Sequence, residues 1–167
     1  MDTKETGLLD EIKSKFKVDG RVQREQRIWI STDGSKLMEV CKWLKDGGFT
    51  HLSAISATDW LKDGKYELTY HLWSYDDNTL VTVKTKIDRK NPSIDSVVPV
   101  WEENAQIHER ELHELFGVKF KGNPDLSPLF LEDQEDVHPF RKDFNWREHV
   151  REKFYNKENE REAVYYD

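Results

Sequence analysis

The sequence predicts an α+β domain: an antiparallel sheet of four to five strands with helices packed on one face, followed by an extended C-terminal segment. Three observations carry this expectation. Stretches of alternating apolar residues are joined by short turn signals at 62–65 and 76–78, the mark of hairpins rather than crossovers. Amphipathic helical stretches precede and follow those strands. Beyond Gly117 the periodicity stops, and Pro124, Pro128 and Pro139 break the chain, so the boundary falls between a core at 1–117 and a docking segment with a charged tail at 118–167.

Taken in order, Leu8, Leu9, Ile12 and Phe16 share one helical face, with Thr6 placed to cap it. Arg21 to Ile30 alternates, with Val22, Ile28 and Ile30 on one side, and reads as a strand. Asp33-Gly34-Ser35 opens a second helix whose apolar stripe is Leu37, Val40, Cys41 and Leu44, ended by Gly47-Gly48. Phe49 to Trp60 is apolar on both faces, as expected of a central strand. Tyr66 to Trp73 follows, with Tyr66, Leu68, Tyr70 and Leu72 inward. Val81, Val83, Thr85 and Ile87 alternate with Thr82, Lys84 and Lys86 in a strand with one wet face. Ser93 to Val98 adds a short edge strand, and Pro99 suits the start of a third helix that seats Trp101, Ala105, Leu112, Leu115 and Phe116 on the sheet. Val118 to Phe120 is a short extended piece. From Asp143 onward Trp146, Val150, Phe154 and Tyr155 recur at loose helical spacing.

A chain of 167 residues that is 36% hydrophobic and 12% aromatic can bury a core. Its net charge of −7 excludes sequence-independent binding to nucleic acid, which needs a basic face. One cysteine, Cys41, rules out an internal disulfide and an iron–sulfur cluster held by this chain alone. Its place on an apolar helical stripe marks it as a small core residue in a reduced compartment. The N-terminal residues have no apolar run of signal-peptide type, and no stretch approaches membrane-spanning length.

The residues from Ile107 to Phe144 draw attention because they are too apolar to be left in water and too proline-broken to build their own sheet or long helix. Within them His108 and His113 superficially suggest a zinc-protease helix. That motif requires i and i+4, whereas i and i+5 sets the two imidazoles about 140° apart. Glu109, Glu111 and the acidic run 132–136 offer carboxylates for acid–base work, but carboxylates are abundant throughout. A phosphate-binding glycine loop, a nucleophile elbow and a dinucleotide fingerprint are all missing from the sequence. A free-standing acid–base or metal-dependent enzyme using Glu109, Glu111 and the nearby histidines is therefore the weaker reading, beside a soluble adaptor unrelated to electron transfer.

Three ordered blocks identify the stretch more sharply. Glu109-Arg110-Glu111-x-x-Glu114-Leu115-Phe116-Gly117, Asn123-Pro124-Asp125-Leu126, and His138-Pro139-Phe140-Arg141-Lys142-Asp143-Phe144 together resemble the signature of the respiratory complex I 30-kDa subunit family, a component of NADH-quinone oxidoreductase. Ser96, Val100-Trp101 and Ala105 fit the lead-in. Departures at Asn123, Ser127 and His113, and the lack of a proline after Phe144, point to the branch found in membrane-bound [NiFe] hydrogenases and related ferredoxin-linked complexes.

The resemblance implies a helix-flanked sheet in the order α-β-β-α-β-β-β. It also implies a peripheral-arm subunit without a redox centre, whose partners are a large catalytic subunit and a small iron–sulfur subunit. The iron–sulfur clusters and the [NiFe] or quinone site would lie in those partners, on the cytoplasmic side of the membrane, with this chain attached only through the complex. Under that reading Glu109, Arg110 and Glu111 make charge-paired contacts with the large subunit, and Phe116, Leu126, Leu129 and Phe130 are apolar anchors. Pro124, Asp125, His138, Pro139 and Phe140 complete the interface, and Arg141, Lys142 and Asp143 pair across it. Charge pattern alone would read residues 109–113 as a solvated helix face with its own i,i+4 pairs.

Overall fold

A computed structural model of the chain describes residues 4–131 and 137–154; the acidic run at 132–136 and Tyr155 lie outside the described residues. Helix α1 (Lys4–Phe16) is followed by strands β1 (Asp19–Arg24) and β2 (Arg27–Ser31), helix α2 (Gly34–Asp46), and strands β3 (His51–Trp60), β4 (Lys65–Ser74) and β5 (Thr79–Asp88). Then come β6 (Ser93–Asp95), α3 (Val98–Phe116), β7 (Lys119–Lys121) and α4 (Trp146–Phe154). The opening order is α-β-β-α-β-β-β, as the resemblance implies.

The α+β expectation holds, with five strands in the main sheet ordered β1-β2-β5-β4-β3. The sheet is mixed rather than wholly antiparallel, because β2 lies parallel to β5 while β1–β2, β4–β5 and β3–β4 run antiparallel. The stretch read as one strand over 21–30 is a hairpin. Its turn at Glu25-Gln26 carries a left-handed Gln26 (φ 58°), and the Gln26 N–H donates to the Glu5 carboxylate at 2.9 Å. No glycine, proline or asparagine marks that turn, so the alternation runs through it unbroken.

Strand β3 is an edge strand, not a central one. A bulge between Leu52 and Ala54 shifts its register, so Leu52 and Ile55 both turn to the buried face although they are three apart. That irregularity is what makes the stretch look apolar on both sides. Helix α1 starts at Lys4, which puts Thr6 inside its first turn rather than at a cap.

The core lies between the sheet and the helices. Ile28 and Ile30 of β2, Val81 and Val83 of β5, and Tyr66, Leu68, Tyr70 and Leu72 of β4 line one face. Against them pack Leu9 and Ile12 of α1, Leu37, Val40, Cys41 and Leu44 of α2, and Trp101, Ala105 and Leu112 of α3. Each such fully buried aliphatic side chain contributes about 2 kcal/mol relative to exposure. Cys41 is buried among them, and desolvation pushes its thiol well above its ordinary value, so it is an inert core residue as the sequence implies.

Within α3 the backbone leaves helical geometry at Trp101 and Glu102. This break lets the Trp101 indole turn into the core and donate to the Phe49 carbonyl at 3.3 Å. Beyond the break, Ala105, Glu109, Leu112 and Phe116 face inward, and Gly117 closes the helix in the left-handed conformation (φ 79°). Strands β6 and β7, each only three residues, find their partners in one another and pair in parallel beside α3. Among the described residues no helix is long and apolar enough to cross a membrane.

Candidate functional site

Residues 118–131 and 137–145 form a strap, and the second half of α3 is its anchor. Glu109 is fully buried on the inner side of the helix. Its carboxylate accepts from Ser96 Oγ and the Val97 N–H, each at 2.7 Å, and from Asn123 Nδ2 at 2.8 Å. It thus ties the loop entering α3 to the start of the strap. Burial holds this carboxyl above the usual range even though three donors pull the other way.

One turn on, the Glu114 carboxylate gathers the next bend of the strap. It accepts the backbone N–H groups of Leu129 (3.0 Å), Phe130 (2.9 Å) and Leu131 (2.6 Å). Burial raises its pKa, but these three N–H donors and the charge of Arg110 outweigh that and leave it below the ordinary value. The Arg110 guanidinium holds the opposite polarity of the same bend. It donates to the Ser127 carbonyl at 3.1 Å, the Pro128 carbonyl at 3.0 Å and Ser127 Oγ at 3.1 Å, and faces the Asp125 carboxylate at 3.7 Å. A proline-broken segment cannot satisfy its own backbone, and here α3 side chains satisfy it instead.

The strap returns the service at the end of α3, where the last carbonyls of a helix lack intrahelical partners. Leu115 O accepts from Phe140 N at 3.1 Å, and Phe116 O from Arg141 Nε at 3.0 Å. The His138 imidazole Nδ1 lies 2.9 Å from Glu114 O. His138 and Arg141 close over Gly117, and Phe140 stacks edge-on against Phe116, which in turn meets Tyr66 of the core.

A third anchor lies at the far end of β3. Asp59, nearly fully buried, is held by a two-point contact from Arg89 (2.8 and 3.0 Å) and also accepts the Lys142 N–H at 2.9 Å. Arg89 extends to Asp143 at 2.5 Å and lies over the Tyr66 ring. Burial opposes ionisation of Asp59, but Arg89 and the Lys142 N–H prevail and lower its pKa; the bond to Arg89 lowers that of Asp143.

Several residues expected at a partner surface make contacts within the chain itself. Glu109 is enclosed in the interior and Phe116 is buried, so neither side chain is presented at the surface of this fold. Arg110, Arg141 and Asp143 spend their charge and donors on the chain itself, because the strap's backbone and the helix end demand them first. Leu126 is half-buried against the chain's own core, as is Leu131. Leu129, His138 and Pro139 are half-buried, and Glu111 sits 3.9 Å from His108 on the outer side of α3. Pro124, Asp125, Lys142 and, above all, Phe130 (62% exposed) and Phe140 (58%) face outward.

Asp59, Arg89 and Glu114 are the anchoring residues that the expected interface set omits. A carboxylate inside an apolar strand requires a cation, so Asp59 carried a signal, but nothing in the spacing names Arg89 as that cation. Of the groups an acid–base or metal site would draw on, Glu109 is enclosed with three hydrogen-bond donors on its carboxylate, and His113 Nδ1 lies 2.9 Å from Val118 O.

Comparison with known proteins agrees with this architecture. The family model for the respiratory-chain NADH dehydrogenase 30 Kd subunit matches residues 30–150. A subunit of the F(420)H(2) dehydrogenase of Methanosarcina mazei is 40% identical over 71% of this chain and 75% of its own length. A subunit of the NADH-quinone oxidoreductase of Moorella thermoacetica is 39% identical over 58% of this chain and 65% of its own. Among solved structures, a chain of the membrane-bound sulfane sulfur reductase, an archaeal respiratory membrane complex, superposes with a TM-score of 0.81 at 28% identity, covering 93% of this chain and 94% of that one. A trypsin-resistant fragment of Nqo5 gives 0.62 at 25% identity, over 72% of this chain and 97% of the fragment. The chain belongs to the respiratory-chain NADH dehydrogenase 30 Kd subunit family, and is thus a subunit of a complex I-like or related membrane respiratory complex.

Proposed function

We propose that this chain is a non-catalytic peripheral-arm subunit that docks on the large catalytic subunit of its complex and stabilises it, with the small iron–sulfur subunit nearby. The observation that carries the reading is a strap immobilised by its own domain that still presents Phe130 and Phe140 to the outside, followed by Trp146 at the start of α4, each more than half exposed. Rigid aromatic side chains on a pre-ordered backbone are good interface anchors, because little conformational entropy remains to be lost on binding. The chain carries no redox centre of its own; iron–sulfur clusters and a quinone or [NiFe] site belong to its partners. It sits on the cytoplasmic side of the membrane, attached through the complex, while ion translocation belongs to membrane subunits. The placement in a hydrogenase-type or related ferredoxin-linked assembly rests on the motif departures at His113, Asn123 and Ser127. The superposition of 93% of this chain on a chain of an archaeal respiratory membrane complex supports the broader reading of a respiratory membrane complex subunit.

The test is co-purification from detergent-solubilised membranes of the native host. Replacing both Phe130 and Phe140 with Asp is expected to strip the large subunit from the tagged chain while leaving its thermal unfolding close to wild type, since hot-spot aromatics contribute about 2 kcal/mol or more each to an interface. Retention of the large subunit by the double variant overturns the docking assignment. A metal or flavin bound at one per purified chain overturns the non-catalytic one.

A further inference from the structure

Helices α1, α2 and α3 all pack on one face of the five-stranded sheet, and the strap lies on that same side, where Phe116 joins Phe140 to Tyr66. The alternate residues of each strand make the opposite face, on which Ser56, Thr58, Trp60 and Lys86 are exposed. We propose that this open face is a second docking surface, and that its occupant is an acidic polypeptide segment of a neighbouring subunit in the complex.

Strand register sets tryptophans among cations there. Arg21 of β1 stands opposite Trp29 of β2, and Arg21 and Lys84 lie over the Trp29 ring at 5.1 and 5.0 Å from its centre. Lys86 lies over Trp60 at 5.7 Å. Towards the other end of the strands, Arg27, Leu80 and Trp73 stand side by side on β2, β5 and β4 and line a cleft of about 520 Å³. Trp73 in turn meets Tyr75, which is 68% exposed. Tryptophan, tyrosine and arginine are the side chains that concentrate binding energy once water is excluded from them. Aromatic surface left in water on this scale marks an interaction site.

Charge selects the occupant. The chain carries −7 as a whole, yet this face is positive. Two of its carboxylates are already matched, Glu67 by Lys84 at 2.9 Å and Asp88 by Lys65 at 3.9 Å. That leaves Asp19 against Arg21, Arg27 and Lys86, one cation on each of three adjacent strands. The His71 imidazole on the same face is held below its ordinary pKa, by burial first and then by Arg27 and Lys84, a sign of the local positive field. An anionic lipid surface is held by clusters of roughly four to eight basic residues, more than this face offers on a chain of such negative charge. Nucleic acid is disfavoured by the same net charge. Carboxylates spaced along a polypeptide suit cations set strand by strand, with the indole faces between them as apolar seats.

The inference rests on membership of a multi-subunit complex and not on docking through Phe130 and Phe140, so the two readings fail separately. The test treats the complex, purified from detergent-solubilised membranes of the native host, with a carbodiimide that joins a lysine amine to a carboxylate in direct contact. A link from Lys86 to an Asp or Glu of another subunit is expected. Lys86→Arg keeps the charge but cannot form the amide, and should abolish the link. Oxidative footprinting should find Trp29 and Trp73 several-fold less reactive in the complex than in the purified chain. Arg21→Glu combined with Arg27→Glu should weaken retention of the linked subunit about tenfold, the loss expected when two exposed ion pairs are reversed, while the purified variant melts close to wild type. Equal reactivity of both tryptophans in complex and chain overturns the docking surface. Protection without a link to another subunit, as a lipid, a second copy or this chain's own carboxylates would give, overturns the acidic partner.

Discussion

At Gly117 the backbone takes φ = 79° while the His138 ring and the Arg141 guanidinium close over its open side, so an added Cβ would stand 2.6 Å from His138 Nε2. An L side chain costs about 1 kcal/mol for the left-handed conformation alone, and displacing the strap adds to it, so Gly117→Ala is expected to lower stability by about 2–3 kcal/mol in urea unfolding. Glu109 works in the opposite sense to most carboxylates. Its folded pKa is raised by burial, so the folded state holds its proton more tightly than the unfolded chain does. The stability it contributes is complete below its ordinary value of 4.5 and declines as pH rises through the folded pKa. Glu114, Asp59 and Asp143 have lowered values and contribute above their ordinary range, losing that contribution as pH falls through the folded pKa. Glu109→Gln should therefore flatten the decline on the alkaline side, by about 1.4 kcal/mol for each unit of Glu109 shift, and leave the acid limb in place. Urea midpoints measured from acid to neutral pH check both limbs.

Helix α3 does two jobs: its apolar stripe seats on the sheet, and its polar residues at 109, 110 and 114 organise the strap. The stripe was legible in the sequence because helical spacing reveals which residues share a face. The strap's acceptance by the same helix was not, since Arg110 to Pro128 and Glu114 to Leu131 are contacts between a regular element and a segment without periodicity. The charge cluster reads equally well as a solvated face or a partner surface until the backbone of residues 127–131 is placed beside it. The Asp59–Arg89–Asp143 group, joining β3, the end of β5 and the strap, shows the same limit, because residues 30 and 54 apart leave no local pattern. Arg89→Ala would strand a buried Asp59 carboxylate and release Lys142 and Asp143. The expected loss is about 3 kcal/mol, and hydrogen exchange at residues 138–144 should speed up well before exchange in β4 does. If both regions exchange together, this end of the strap is not a separate cooperative unit.

For the whole molecule, hairpin signals and amphipathic stretches were enough to identify the α+β class, while the parallel β2–β5 pairing escaped them because it depends on where α2 returns the chain. The three motif blocks were legible as a family signature, yet much of what they encode is intramolecular: they lock a strap onto its own domain. That division separates two ways of dissociating the complex. Arg110→Glu removes three hydrogen bonds to residues 127–128 and sets a new carboxylate beside Asp125. It should cost the isolated chain about 2 kcal/mol and lower its melting temperature, and it should weaken docking only because the strap is no longer ordered. Phe140→Asp loses an edge contact with Phe116 but leaves the Leu115 carbonyl bond to its backbone intact, so the isolated chain should melt close to wild type while docking fails. Thermal unfolding of the two purified variants, set beside their recovery of the large subunit from solubilised membranes, distinguishes the roles. If Arg110→Glu melts like wild type and still releases the partner, Arg110 contacts that partner directly and the strap's internal lock is not what docking requires.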